Sequence, residues 1–354
     1  MNANANFQAL AARLDSFPQR FPSTTSGVEL QLLAQLFTPK EAGLAANFIL
    51  DFTPLGEVTT KCGMSLSKAR TLVKSMAGKG LIKIKRGESG LEVRLLPFIV
   101  GFYENQVDRI DEVFANLFEA YYREASHDLL SMEPQFHRII PVKETINTQV
   151  EILPEDNVVA LLSSKSAWGV MDCICRKQKA LIGEGCDHPL KVCLILSETP
   201  GAFDDLEGIE ALDLDDALEV LDRAAAAGLV HTVSNYKGEL SYVCNCCTCS
   251  CGILRGIAEA HIANVVARSA YVAQVYDDAC IGCGICEDLC QFDAISIKET
   301  SIIDQETCVG CGVCARSCPE DAVSLSLRPA GEILHVPNSF EAWLEEREKV
   351  RKEI

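Results

Sequence analysis

Eight cysteines near the C-terminal end carry the strongest chemical signal in the chain. They fall in two runs, Cys280-Ile-Gly-Cys283-Gly-Ile-Cys286-Glu-Asp-Leu-Cys290 and Cys308-Val-Gly-Cys311-Gly-Val-Cys314-Ala-Arg-Ser-Cys318-Pro319. Both runs have the spacing C-x2-C-x2-C-x3-C, and Cys308 stands 28 residues after Cys280. The same shift superposes Gly282 on Gly310, Gly284 on Gly312, Asp293 on Asp321 and Ala294 on Ala322. The segment is therefore an internal duplication. Thiolates are soft donors that suit iron–sulfur clusters and zinc. Gaps of two residues let three of them converge on one compact centre. The glycines let backbone N–H groups approach inorganic sulfide with no side chain in the way. Zinc or disulfides would draw on the same thiols, but two complete copies at this spacing weigh against both.

The spacing resembles that of the bacterial two-cluster ferredoxins, which hold two [4Fe–4S] clusters. The resemblance implies that the fourth cysteine of each run reaches across to the other cluster. One cluster would then take Cys280, Cys283, Cys286 and Cys318, and the other Cys308, Cys311, Cys314 and Cys290. One position departs from the pattern: Gln291 stands where the second run has Pro319. That change bears on the potential or solvent access of the cluster held partly by Cys290, not on its existence.

Nine further cysteines lie upstream: Cys173, Cys175, Cys186, Cys193, Cys244, Cys246, Cys247, Cys249 and Cys251. Five of them fall within eight residues, which core packing does not explain. On a strand, alternate residues share a face, so Cys247, Cys249 and Cys251 are expected on one side. Cys244 and Cys246 are then expected on the other side or in a loop. The motifs Cys173–Arg176, Gly185–Pro189 and Cys244–Cys247 resemble those of ferredoxin-fused iron–sulfur proteins of anaerobes. That resemblance spans roughly residues 150–325 and implies an added metal site in redox work. A third iron–sulfur cluster is the first reading, and nine thiolates suffice for two clusters or one larger one. The alternatives are a zinc site and a thiol–disulfide or sulfur-transfer centre with Arg176 lowering a thiol pKa. His188 and His231 are candidate extra ligands, although a lone histidine more often packs or hydrogen-bonds. Cys62 reads as an ordinary buried thiol.

A chain of 354 residues suggests two or three domains. The N-terminus has neither a basic nor an apolar leader region, and no apolar run is long enough to span a bilayer. The expectation is a cytoplasmic protein, in a low-oxygen setting, whose thiols bind metal rather than pair. The net charge of −18 is unevenly spread. Residues 277–327 carry ten acidic side chains against Lys298 and Arg316, while residues 61–94 carry nine Lys or Arg against Glu88 and Glu92. The acidic stretch suits a redox partner with a basic docking face.

The elements that must position these residues can be read in order. An N-terminal extension, 1–23, holds a short amphipathic helix through Phe7, Leu10, Ala11 and Leu14. Residues 24–100 carry a helix from Glu29 to Phe37, then a capping box with proline at Thr38-Pro39-Lys40-Glu41. A third helix runs from Thr53 to Cys62, and a fourth is capped by Ser65 with Ser67, Lys68, Arg70, Thr71 and Lys74 on its polar face. Strands at 81–86 and 91–95 flank a Gly87–Gly90 turn. This order resembles a winged helix-turn-helix domain, which implies DNA binding through Ser67–Lys74 and a wing at Lys83, Lys85 and Arg86. Protein docking is the plainer alternative, and homo-oligomerisation stays open. A helical connector follows at 101–135, with Val107, Ile110, Val113, Phe114, Leu117 and Phe118 on one face. The cysteine-rich α/β domain is placed at 136–276. Its expected elements are strands at Val150–Leu153, Trp168–Met171, Leu229–Val233 and Leu240–Val243, helices at Pro154–Ser164 and Asp215–Ala227, and a long helix over Cys251–Ala273. The ferredoxin domain is placed at 277–328 and a charged helical tail, packed or mobile, at 329–354. The fold class is α+β multidomain.

No glycine-rich nucleotide loop, nucleophile elbow or kinase motif is present. Electron transfer through two [4Fe–4S] clusters is the leading expectation, as a component of an oxidoreductase system. An open-coordinate cluster acting as an active site in the middle domain comes next, and a redox-sensing DNA-binding regulator after it.

Overall fold

The computed structural model describes residues 3–142, 156–238 and 240–353. The expected strand at Val150–Leu153 lies outside them. The fold is mixed α/β and divides into two units. One comprises Met1–Leu129 with Gln178–Glu184, the other Leu130–Lys177 with Gly185–Ile354. No described helix is long and apolar enough to cross a membrane.

In the first unit, helices Ala3–Asp15, Val28–Leu36 and Pro39–Ala45 precede a strand–helix–helix–hairpin run. The capping box forms in full. Thr38 N donates to Glu41 Oε2 at 2.7 Å and Glu41 N donates to Thr38 Oγ1 at 3.3 Å, with Pro39 in the first turn. The segment expected as one helix from Thr53 opens as β1 (Thr53–Pro54), and the helix itself is Leu55–Cys62. Proline has no N–H to give a helix interior, so the helix starts after Pro54. The helix Leu66–Gly78 follows, and Ser65 occupies its N-cap position without a side-chain cap bond. Strands β2 (Ile82–Gly87) and β3 (Gly90–Leu95) pair antiparallel, with β1 on the far side of β3. The connector is not one helix from Phe102: a single 3-10 turn, Glu104–Gln106, comes before the regular helix. Ile99, Val100 and Gly101 have non-helical dihedrals, and the regular helix is Glu112–Leu130. Phe114 and Phe118 are buried on it, but Val113 is 56% exposed. An aromatic cluster of Phe21, Phe98, Phe102, Tyr103, Phe118 and Tyr121 fills this core.

The second unit is built on a six-stranded antiparallel sheet. Its strands are β4 (His137–Ile139), β5 (Ala167–Asp172), β6 (Lys191–Ser197), β7 (Glu210–Leu212), β8 (Val230–Ser234) and β9 (Tyr242–Cys246). Their spatial order is β4-β8-β9-β6-β5-β7. Helices Val158–Ser163 and Leu214–Ala226 are capped by Asn157 and Asp213, whose side chains accept backbone N–H groups. Ala217, Val220, Leu221 and Ala224 pack on Val170, Val192, Leu194, Leu196 and Val243 in one buried cluster. Successive strand residues face opposite sides. With Val192, Leu194 and Val243 in that cluster, Cys193, Cys244 and Cys246 fall on the other face of the sheet.

The long helix expected over Cys251–Ala273 does not form. A single turn, Arg255–Ala258, is followed by irregular chain and by β10 (Tyr271–Val275). His261 adopts a left-handed φ of 53°, and the β-branched Val265, Val266 and Val272 favour extended chain. Strand pairing wins: β10 pairs antiparallel with β13 (Val323–Leu327). Between them β11 (Ile295–Ile297) and β12 (Ser301–Ile303) form a small hairpin.

The C-terminal helix Phe340–Glu353 is anchored within this unit through Arg347, which is fully buried. Arg347 Nη1 donates to Met132 O at 2.9 Å and to Pro134 O at 2.6 Å. The guanidinium also lies over the rings of Phe136 and Trp343. Trp343 Nε1 donates to Gln135 O at 2.9 Å. Arg347→Ala leaves two carbonyls unpaired and removes both ring contacts. It is expected to cost about 3 kcal/mol, the scale of losing a buried charge-assisted hydrogen bond. Thermal denaturation with Lys352→Ala as an exposed control measures this. A midpoint unchanged from the control would contradict the anchoring role.

Candidate metal centres

The two cysteine runs fold into near-identical loops. Gly282 and Gly310 have φ of 66° and 71°, Gly284 and Gly312 84° and 81°, and Asp293 and Asp321 54° and 49°. Gly310 tolerates no side chain, because a Cβ there would lie 2.0 Å from Tyr271 O. A four-residue helix follows each loop, Ile285–Asp288 and Val313–Arg316.

Cys280, Cys283, Cys286 and Cys318 line one cavity, with Ile281, Ile285 and Ile297. Cys290, Cys308, Cys311 and Cys314 line a second, with Phe292 and Val313. Each cavity thus takes three thiols from one run and one from the other. Backbone N–H groups already point at sulfur, Ser301 N to Cys280 Sγ at 3.4 Å and Ala322 N to Cys318 Sγ at 3.3 Å. Burial pushes the Cys311 thiol up to about 12 and raises Cys314 and Cys290 as well. Bound iron reverses that preference, since a coordinated thiol is deprotonated. Four soft donors around each apolar cavity fit an iron–sulfur cube.

The nine middle cysteines separate into two groups. Six form a closed ring of neighbouring thiols. Cys173 lies near Cys175 and Cys193, and Cys193 lies near Cys244. Cys244 lies near Cys246, Cys246 near Cys251, and Cys251 near Cys175. Four elements supply them: β6 gives Cys193, β9 gives Cys244 and Cys246, the turn after β5 with helix Ile174–Leu181 gives Cys173 and Cys175, and the loop after β9 gives Cys251. Thr232 Oγ1 sits 3.5 Å from Cys246 Sγ. Hydrogen bonding from Cys244 and Cys251 holds Cys246 down at about 6.

The other group is Cys186, His188, Cys247 and Cys249, whose ligand atoms all lie within 4.8 Å of one another. Cys186 Sγ is 4.0 Å from Cys247 Sγ, and Cys249 Sγ is 3.7 Å from His188 Nδ1. Burial works against a Cys186 thiolate, but hydrogen bonds from Ser250 and His188 outweigh it and bring Cys186 to about 6. The expectation that Cys247, Cys249 and Cys251 share a strand face is not met. The strand ends at Cys246, and the following turn sends Cys251 to the ring and the other two to His188. His231 is not one of the four clustered donors, Cys186, His188, Cys247 and Cys249. Its Nδ1 pairs with Asn245 Oδ1 in the buried interior.

Arg176 lies between the groups and is 3% exposed. Its Nη1 is 3.6 Å from Cys247 Sγ, and both terminal nitrogens donate to Asn245 O at 3.1 Å. Burial opposes its charge, but Cys173 and Cys247 hold it protonated. Thr232 and Ser250 were not singled out by sequence. Only the tertiary fold brings their polar atoms to these sulfurs.

Gln291, the position that breaks the repeat, connects the four-donor group to the second cavity. Its Oε1 accepts from Thr248 N at 3.1 Å and Thr248 Oγ1 at 3.0 Å. Its Nε2 donates to Gly228 O at 3.1 Å and lies 3.5 Å from His188 Nε2. Thr248 stands between Cys247 and Cys249, and Gln291 follows Cys290. Gln291→Pro, which restores the repeat, deletes these bonds. It is expected to destabilise the metal-loaded protein by about 1–3 kcal/mol, a thermal midpoint lower by about 2–4 °C per kcal/mol. An unchanged midpoint in the anaerobic protein would contradict this bridging role.

Comparison with known proteins agrees with the geometry at one place. No curated protein and no solved structure matches the chain. The family model described as 4Fe-4S dicluster domain matches residues 279–322, the segment that encloses both four-cysteine cavities.

Proposed function

We propose that this chain is an electron-transfer protein that relays low-potential electrons through two [4Fe–4S] clusters, with a further metal centre in the middle domain. The observation that carries the proposal is the crossed lining of the two cavities. Cys280, Cys283, Cys286 and Cys318 hold one cluster, and Cys308, Cys311, Cys314 and Cys290 hold the other. Each cluster, when bound, stores and releases one electron. The protein's own groups set the potential: apolar linings limit water, and backbone N–H groups at Cys280 and Cys318 stabilise negative sulfur. Acidic residues dominate this module, and the clusters add about −2 each. A basic partner surface is therefore the docking class, with association that weakens as salt rises.

The iron content of anaerobically purified protein tests this. The two cubes require about eight irons with matching acid-labile sulfide. Cys311→Ser with Cys314→Ser is expected to remove about four irons per chain and to leave the other cluster reducible. Loss of no iron in that variant would contradict the ligand assignment.

A second reading concerns the first unit. Its helix–helix–hairpin order resembles a winged helix, and Lys68, Arg70 and Lys74 are exposed on one helix. Lys83, Lys85 and Arg86 are exposed on the adjoining hairpin, although Lys85 pairs with Glu92. This surface suits nucleic-acid phosphate. Duplex DNA binding at low salt, lost in Lys68→Glu with Arg70→Glu, is the expected result. No binding by the cluster-loaded protein at low salt would remove this reading.

A further inference from the structure

We propose that the nine middle cysteines hold two metal centres of different class. The six-thiol ring takes a polynuclear iron–sulfur centre, and Cys186, His188, Cys247 and Cys249 take a single tetrahedral zinc ion. This rests on the reading of the middle domain as metal-bearing and divides that one centre into two.

Donor number separates the sites. A single tetrahedral ion accepts four ligands. The ring offers six thiols, and three of them, Cys193, Cys244 and Cys246, share the sheet face opposite the apolar core on two strands that pair with each other. Six all-sulfur donors exceed what one ion uses and match a centre with several metal atoms and bridging sulfide. Cys173, Cys246 and Cys251 are buried, so their thiolates need charge from within the protein. Arg176 supplies one positive charge on one side of the ring, and several metal ions supply the rest.

The second group has a different chemistry. It offers three sulfurs and one imidazole nitrogen, a Cys3His set of the kind zinc fills completely. Two Zn–S bonds of about 2.3 Å at a tetrahedral angle place the sulfurs about 3.8 Å apart. The Cys186–Cys247 separation of 4.0 Å and the Cys249–His188 separation of 3.7 Å fit one small ion without rearrangement. They do not leave room for a cube among the four atoms. Cys249 is exposed, so the ion has an entry path, and four donors leave no open position for a substrate. Zinc here braces the loop that presents Thr248 to Gln291 and so holds the middle domain against the cluster bound by Cys290.

The test is metal quantification on full-length protein purified without oxygen. Wild type is expected to carry about one zinc for the four-donor set and more than the roughly eight irons of the two cubes. Cys186→Ser with Cys249→Ser is expected to lose the zinc and keep all iron. Cys193→Ser with Cys251→Ser is expected to lose the iron above about eight and keep the zinc. Either pair removing both metals, or the ring variant removing only zinc, would overturn the division. X-ray absorption at the zinc edge of wild type needs no variant. Three sulfurs and one nitrogen support the assignment, and four sulfurs refute it. Cys308→Ser with Cys314→Ser serves as the module control. A wild-type iron content below about eight would count against the electron-transfer reading, whatever the zinc result.

Discussion

Thiolates repel one another and resist burial, yet the second unit packs seventeen cysteines into one folded body. Everything around them answers that constraint. Burial, with the neighbouring sulfurs adding to it, raises Cys311 and Cys314, and a bound metal would supply the positive charge that favours their thiolates. The fold brings donors together at a few enclosed points and keeps their backbones rigid. Left-handed glycines at 282, 284, 310 and 312 turn the chain tightly around each cavity. Two-residue alternation on β9 puts Cys244 and Cys246 on one face while Val243 stays in the core. The buried Arg176 guanidinium adds a fixed positive charge where the sulfurs crowd most densely.

The cluster module is not an independent appendage of this unit. Its last strand pairs with β10, which precedes the module, and Val142 and Ser269 donate backbone hydrogen bonds to Cys311 O and Val309 O. Arg316 pairs with Asp222 on the helix that covers the sheet. Gln291 joins Thr248 and Gly228 to the residue after Cys290. These contacts join the middle domain to one cavity through a short chain of hydrogen bonds. They also give the broken repeat a physical reason, because a proline side chain offers no amide for Thr248.

Much of the chemistry was legible in sequence because it is local. Spacing of two residues fixes three cysteines in one loop, and duplication announces a second loop. The capping box at Thr38–Glu41 and the helix after Asp213 are local for the same reason. What was not legible is tertiary. Nine middle cysteines on a line of sequence do not reveal that six close into a ring and three join His188. That partition follows from where β9 ends and from the turn after Cys246. The long helix read over Cys251–Ala273 failed because its apolar spacing suits a helix while its partner strand, Val323–Leu327, lies fifty residues away. Gln291 was visible as a departure from the repeat, but its partners Thr248 and Gly228 were not.

The central claim is that the two crossed four-cysteine cavities hold redox-active clusters. An anaerobic reductive titration of the full-length protein, followed by visible absorbance and electron paramagnetic resonance, tests it most directly. The account predicts that the module accepts one electron per cluster at low potential, with the two paramagnets coupled through their proximity. Mutation of Cys311 and Cys314 together should leave a single uncoupled signal. Iron-loaded protein that stays unreduced by a low-potential donor, or that shows one uncoupled cluster in wild type, would contradict the account.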